Sequence, residues 1–255
     1  MNAIGAPPAS LLGNQPSLSL SLAARTFARG CGLILRFAVL AILYPFALAD
    51  GLWQPVAAAP TGTALAGARA AWLHRWSRVT RGVLGWRLNH HGYVPVSGVV
   101  AANFTGIRGA ILLAAVRPCV FVAGADVRRW PFIGLLARLA GTIFVDRQRH
   151  DAVRVNFMIQ RAVQHRRLLV VIFPECRRSH NNATPGQFTS ALFQPVVDLG
   201  CTLTAAAISR GHPKCHGTKI TFSAPAFRRG SRKQLARLLR REVLGLGLHS
   251  KPSTA

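Results

Sequence analysis

Leu168-Leu-Val-Val-Ile-Phe173 is an unbroken apolar run, closed by Pro174 and followed at once by Glu175-Cys176-Arg177-Arg178. A short β-branched run without polar alternation reads as a strand buried on both faces. The charged residues then fall just past its carboxyl end, where α/β sheets bind their ligands. Upstream, Gly141-Thr-Ile-Phe-Val-Asp-Arg147 repeats the arrangement, with Thr142–Val145 as the strand and Arg147 beyond its end. Between the two lies Asp151–Gln164, a helical stretch. Further candidate strands are Val99–Ala102, Cys119–Ala123, Thr202–Ile208 and Lys219–Phe222. Candidate helices are Gly109–Ala115, Pro131–Ala140, Thr189–Leu199 and Ser231–Leu244, the last with Ser231 as its N-cap. Short apolar strands alternating with helices predict an α/β fold, a mainly parallel sheet flanked by helices.

The first ninety residues read differently. Residues 1–30, rich in Ser, Leu, Ala, Pro and Gly at their start, read as a mobile tail. Residues 31–49 are apolar except for Arg36. The uncharged run from Phe37 to Ala49 contains Pro45 and is shorter than the ~20 residues of a straight span, nearer an interfacial or re-entrant segment. Residues 50–64, with two prolines and two glycines, suggest a linker. A helix follows from about Gly67 to Trp86. Trp72, Trp76, Val79 and Val83 share one face of it, and Arg69, Arg75, Arg78, Arg81 and Arg87 surround that stripe. Such a helix suits an anionic membrane surface or packs as a core helix with a solvated basic side. The expected division is therefore a tail over 1–30, a membrane-associated helical region over 31–88, an α/β domain over 89–248, and a C-terminal tail over 249–255.

Composition narrows the function. Among 255 residues, 32 Lys+Arg stand against 7 Asp+Glu, a formal net charge of +25, yet half the chain is hydrophobic and mean hydropathy is +0.27. That apolar content excludes a disordered basic tail. The basic excess points to an anionic partner: phospholipid headgroups, phosphorylated substrates or nucleic acid. With so few acids, a two-carboxylate glycosidase or a multi-carboxylate calcium site does not fit. Five cysteines without a Cys-x-x-Cys pair argue against a disulfide framework or a structural zinc site, and suit a reducing compartment.

Arg147 and Glu175 are the residues that the pattern singles out. Arg147 could grip a phosphate with its fork of donors. Glu175 could orient a hydroxyl or hold Arg177 and Arg178.

Several blocks taken together resemble the glycerophospholipid acyltransferases typified by 1-acylglycerol-3-phosphate acyltransferase. Phe173-Pro-Glu175 is similar to that family's Phe-Pro-Glu-Gly-Thr block, and Gly141-Thr-Ile-Phe-Val-Asp-Arg147 to its Gly-x-x-Phe-x-Asp-Arg block. Phe121-Val-Ala-Gly-Ala-Asp-Val127 and Trp130-Pro-Phe-Ile-Gly134 stand where the family has Phe-Val-Ala-Lys-x-Glu-Val and Pro-x-x-Gly. The segment from Gly186 to Phe193 looks like the family's Pro-Phe-x-x-x-Leu-Phe. The likeness covers residues 93–210, in the family's order.

The resemblance implies acyl transfer from a thioester, acyl-CoA or acyl carrier protein, to a lysophospholipid hydroxyl, with no metal or redox cofactor. It implies that Arg147, Glu175 and Arg177 hold the acceptor's phosphate end. It also implies a membrane-associated protein on the cytoplasmic face of the inner or plasma membrane, among anionic lipids.

The catalytic motif departs. The family's Asn-His-x-x-x-x-Asp aligns with Asn103-Phe104-Thr-Gly-Ile-Arg-Gly109, so the base becomes Phe104 and its orienting acid becomes Gly109. Neither can take a proton, and a positioned base contributes ~10²–10⁴-fold. His90, His91 and His180 are the displaced-base candidates, and Cys176 a candidate nucleophile. The alternative is a non-catalytic lipid- or acyl-carrier-binding pseudoenzyme. Nucleic-acid binding is the remaining reading of the charge; no zinc-finger spacing or RNA-binding aromatic motif accompanies it.

Overall fold

The computed structural model describes residues 16–57, 62–146, 152–164, 167–175, 186, 188–210 and 217–248. Two long helices come first, α1 (Pro16–Ala57) and α2 (Gly62–Leu84). The order is then β1 (Arg87–His91), β2 (Gly98–Ala102), α3 (Ile107–Val116), β3 (Cys119–Gly124), α4 (Ile133–Leu139), β4 (Ile143–Val145), α5 (Ala152–Gln164) and β5 (Leu169–Ile172). It closes with α6 (Gln194–Leu199), β6 (Thr202–Arg210), β7 (Gly217–Phe222), β8 (Ala226–Phe227) and α7 (Arg232–Leu248).

The expected α/β architecture holds. One sheet runs β1-β7-β6-β2-β5-β3-β4, with β8 paired to β6 off the end. Strands β6, β2, β5, β3 and β4 are mutually parallel, and every residue of β2 and β5 is buried. This is why both strands read as continuous apolar runs. On one face Leu112 and Leu113 of α3 pack on Val100, Val171 and Ile208, with Leu73 of α2 beside them. On the other, Ile159 of α5, Val196 of α6 and Leu239 of α7 cover Val99, Val170 and Ala205. Ser231 caps α7 as expected. Its Oγ accepts from the Gln234 backbone N–H while Gln234 Oε1 accepts from the Ser231 N–H, a reciprocal capping box.

Three expectations need correction. Asn89-His90-His91, read as a connection, belongs to β1, an exposed edge strand parallel to β7. The antiparallel pairing of β7 with β6 at that edge leaves the sheet mainly parallel, as expected. Helix α1 starts at Pro16, within the stretch read as a tail. It also continues through Pro45 and Pro55 to Ala57, taking in half of the proposed linker.

The apolar helix is consequently longer than the uncharged run suggested. Gly30–Gln54 has mean hydropathy 2.1, is long and apolar enough to cross a membrane, and is only 6% buried against the rest of the fold. Helix α2 packs antiparallel beside α1. Trp72 Nε1 donates to the Ala47 carbonyl at 3.2 Å and Trp76 Nε1 to Asp50 at 2.8 Å, so the tryptophan stripe faces into the protein. Arg36, a charge within the apolar part of α1, donates to the Leu84 carbonyl at the last turn of α2, 3.1 Å away. A helix C-terminus is a favourable seat for a cation.

Candidate functional site

The parallel pairing of β2 with β5 brings their carboxyl ends side by side, Ala101 opposite Ile172. Beyond them the chain must turn off the sheet, and the backbone groups there need new partners. Asn103 supplies two. Its Nδ2 donates to the Ile208 carbonyl at 2.9 Å and its Oδ1 accepts from the Ile208 N–H at 2.6 Å, pinning the end of β2 to β6.

Phe104 follows. Its backbone N–H donates to Glu175 Oε1 at 3.2 Å, across the gap between the two strand ends. Glu175 also accepts from the Gly186 N–H, and burial pushes its carboxyl above the ordinary range while those two bonds pull it down. Gly186 is held from the far side by Arg240 of α7, whose Nε donates to its carbonyl at 3.0 Å. The segment is tied once more by the Thr189 N–H to the Pro174 carbonyl, 2.8 Å, and by a bridge between Glu175 and Phe188. Among the described residues, Glu175 is therefore a brace between the turns after β2 and β5.

The Phe104 ring turns the other way. It meets Phe173 edge-on with centroids 5.3 Å apart, and Phe173 stacks on Phe121 at 5.7 Å. These three rings line a cavity of about 340 Å³ that extends under α1 and α2, past Leu43, Trp72 and Trp76, to Trp130 and Leu136. Nearly every lining side chain is apolar, as an acyl chain requires. Gly109 is buried in α3, and a Cβ built there would run into the Thr105 hydroxyl.

The sequence-derived candidates divide cleanly. Phe104, Gly109 and Glu175 converge at the strand ends. Asp146 lies at the end of β4, but Arg147 is outside the described residues, as are Cys176, Arg177, Arg178 and His180. His90 and His91 sit on exposed β1, three strand spacings from β2, about 14 Å across the sheet. They do not reach the site. Sequence reasoning missed Gly186, Arg240 and the pairing of Asn103 with Ile208, all contacts between distant positions. It also missed the cavity, whose only signal was the Trp72/Trp76 stripe. Among the described residues no cluster of His, Cys, Asp and Glu could hold a metal ion.

Residues 88–209 match the Acyltransferase family model. A stretch of 118 residues is 37% identical to a lyso-ornithine lipid O-acyltransferase of Rhizobium meliloti, covering 44% of this chain and 39% of that protein. Another of 116 residues is 34% identical to a 1-acyl-sn-glycerol-3-phosphate acyltransferase of Neisseria gonorrhoeae, covering 45% of this chain and 44% of that protein. The matched stretches thus span less than half the length of these curated relatives. The fold is also that of a 1-acyl-sn-glycerophosphate (LPA) acyltransferase, PlsC, of Thermotoga maritima. The two superpose with a TM-score of 0.67 at 15% identity, over 89% of this chain and 98% of that one.

Proposed function

The chain belongs to the glycerophospholipid acyltransferase family through residues 88–209, and from that premise we propose that it binds a lysophospholipid-type lipid at a membrane and does not acylate it. The observation that carries this reading is Phe104. The family's base position holds a ring that packs on Phe173 and has no proton acceptor, while the apolar cavity beside it stays open.

The binding half of the site supports the same reading. The cavity suits an acyl chain, and the basic surface suits an anionic headgroup at the bilayer face. Arg147 and Arg177, following β4 and β5 in the sequence, are the residues we assign to the acceptor's phosphate, with Glu175 bracing the turns after β2 and β5. A carboxylate held by two backbone N–H groups serves better as a brace than as a phosphate contact, which like charge would oppose. On this reading no acyl group passes from acyl-CoA or acyl carrier protein, because no base activates the acceptor hydroxyl, and the protein acts by holding lipid or by modulating an active relative on the cytoplasmic face of the membrane.

A working enzyme would need another base within hydrogen-bond reach of the acceptor hydroxyl. His90 and His91 are too far across the sheet. The test is acyl transfer from acyl-CoA to lysophosphatidate by the detergent-purified protein, beside Arg147→Ala and a Phe104→His/Thr105→Ala/Gly109→Asp variant. The Thr105 change makes room for the Asp side chain. The expected result is a silent parent that still binds lysophosphatidate, with binding weakened by Arg147→Ala and activity gained in the triple variant. Parent activity above the Arg147→Ala background overturns the reading.

A further inference from the structure

Between β3 and the first turn of α4 the chain makes a short lip, Arg128 to Leu135, that carries three large apolar side chains outward. Phe132 is 69% exposed, Leu135 42% and Trp130 38%. Exposed apolar residues on a floppy loop would mean little, but this lip is built. Gly134 N–H donates to the Trp130 carbonyl at 2.9 Å, and Leu136 N–H to the Phe132 carbonyl at 3.1 Å. Arg138 reaches back to the Arg128 carbonyl at 3.1 Å. Gly134 is buried so tightly that any Cβ there would strike the Arg128 carbonyl. Phe132 itself is held at φ 60°, a backbone conformation that a bulky side chain rarely adopts. Such strain persists only where surroundings enforce it, and it gathers at functional positions.

The neighbour that Phe132 meets is α1. Tyr44 Oη donates to the Phe132 carbonyl at 3.3 Å, and the two rings meet edge-on with centroids 5.6 Å apart. The lip is thereby joined to the exposed apolar surface of α1, on which Phe37, Ile42 and Phe46 stand 59–65% exposed. Arg128, Arg129 and Arg138 flank the lip and are also exposed. An aromatic and aliphatic tip ringed by Arg, continuous with an apolar helix, matches the acyl–headgroup boundary of an anionic bilayer.

We infer that the Trp130–Leu135 lip is a second membrane-inserting element, which fixes the catalytic-type domain against the bilayer so that the cavity mouth faces lipid. Trp130 and Ile133 belong to the lip and line the cavity at once, with Leu136 just beyond them. A lipid entering from the bilayer would pass along them. The occupant of this surface is therefore anionic lipid, and the inference stands whether or not acyl transfer occurs.

The test uses the full chain with Cys31, Cys176, Cys201 and Cys215 replaced by serine; Cys119 is fully buried, and burial pushes its thiol up to about 12. A bimane fluorophore is attached at Phe132→Cys, Leu135→Cys, Leu35→Cys on α1 or Arg237→Cys on exposed α7. Each protein is reconstituted in phosphatidylcholine/phosphatidylglycerol vesicles that carry acyl-chain nitroxide lipids. Positions 132 and 135 are expected to be quenched about twofold or more beyond position 237, as position 35 is. Arg128→Ala/Arg129→Ala is expected to lower the quenching at 132. Quenching at 35 but not at 132 or 135 overturns the proposal and leaves attachment by α1 intact. An unquenched label at 132, together with a disulfide between chains through position 132 in the unlabelled Phe132→Cys protein, overturns it too and assigns the lip to a second copy. No quenching at any position removes both the lip and the α1 attachment.

Discussion

The backbone N–H of Phe104 lies 3.2 Å from Glu175 Oε1, so the two turns that would form an acyltransferase centre are bonded to each other. The side chain of Phe104 leaves that bond free to form because it points away, onto Phe173. The Phe104 ring therefore takes no part in the brace, which runs from the backbone N–H of residue 104 to the Glu175 side chain.

That brace has a pH signature. Burial raises the Glu175 carboxyl above its ordinary range, the folded state thus binding its proton more tightly than the unfolded chain does. The resulting stabilisation is complete below the unfolded value and is lost as pH rises through the raised folded value. Chemical-denaturation curves between mildly acidic and neutral pH should show stability falling as pH rises, and Glu175→Gln should flatten that slope. An unchanged slope in the variant would assign the titration elsewhere.

Asn103→Ala should cost about 1–3 kcal/mol, since it strips partners from both the N–H and the C=O of buried Ile208. Asn103→Asp keeps only the acceptor and should recover part of the loss. Urea midpoints of the three proteins give the order directly.

Gly109→Ala should destabilise by about 1–3 kcal/mol, because its Cβ has nowhere to go but into Thr105. In the Thr105→Ala/Gly109→Ala double variant most of that cost should vanish. A double-mutant cycle that finds additive effects would mean that the two positions do not meet.

Ser231→Ala should cost about 1 kcal/mol by removing the cap of α7, with a matching fall in Tm. Because α7 carries Arg240, which holds Gly186, lysophosphatidate affinity should fall with it if the capped helix supports the site.

Much of the fold was legible because the central strands announce themselves. Val99–Ala102 and Leu168–Phe173 are apolar throughout, and only a strand covered on both faces needs that. Arg87-Leu-Asn-His-His91 carries no such signal: at an exposed edge, backbone pairing alone makes it a strand. Helix α1 was underestimated at its start, where composition read as a tail, and at its end, where Pro55 and its neighbours read as a linker, yet the helix runs from Pro16 past both Pro45 and Pro55. At the site, Phe104, Gly109 and Glu175 were found through their spacing in known motifs. Asn103 and Ile208 were not found as a pair, since 105 positions separate them and only the sheet order joins them. Gly186 has no side chain to advertise its bond to Glu175.

Arg36 has a consequence for how the protein is made. A guanidinium in the middle of an apolar helix is costly in lipid unless a carbonyl meets it. Here that carbonyl belongs to Leu84, nearly fifty residues further along the chain. During synthesis, α1 is complete long before its charge can be met. Helix α1 alone leaves that guanidinium without its carbonyl, and only α2 packed beside it supplies one. The residue that looks most foreign to α1 is thus the one that ties it to its neighbour.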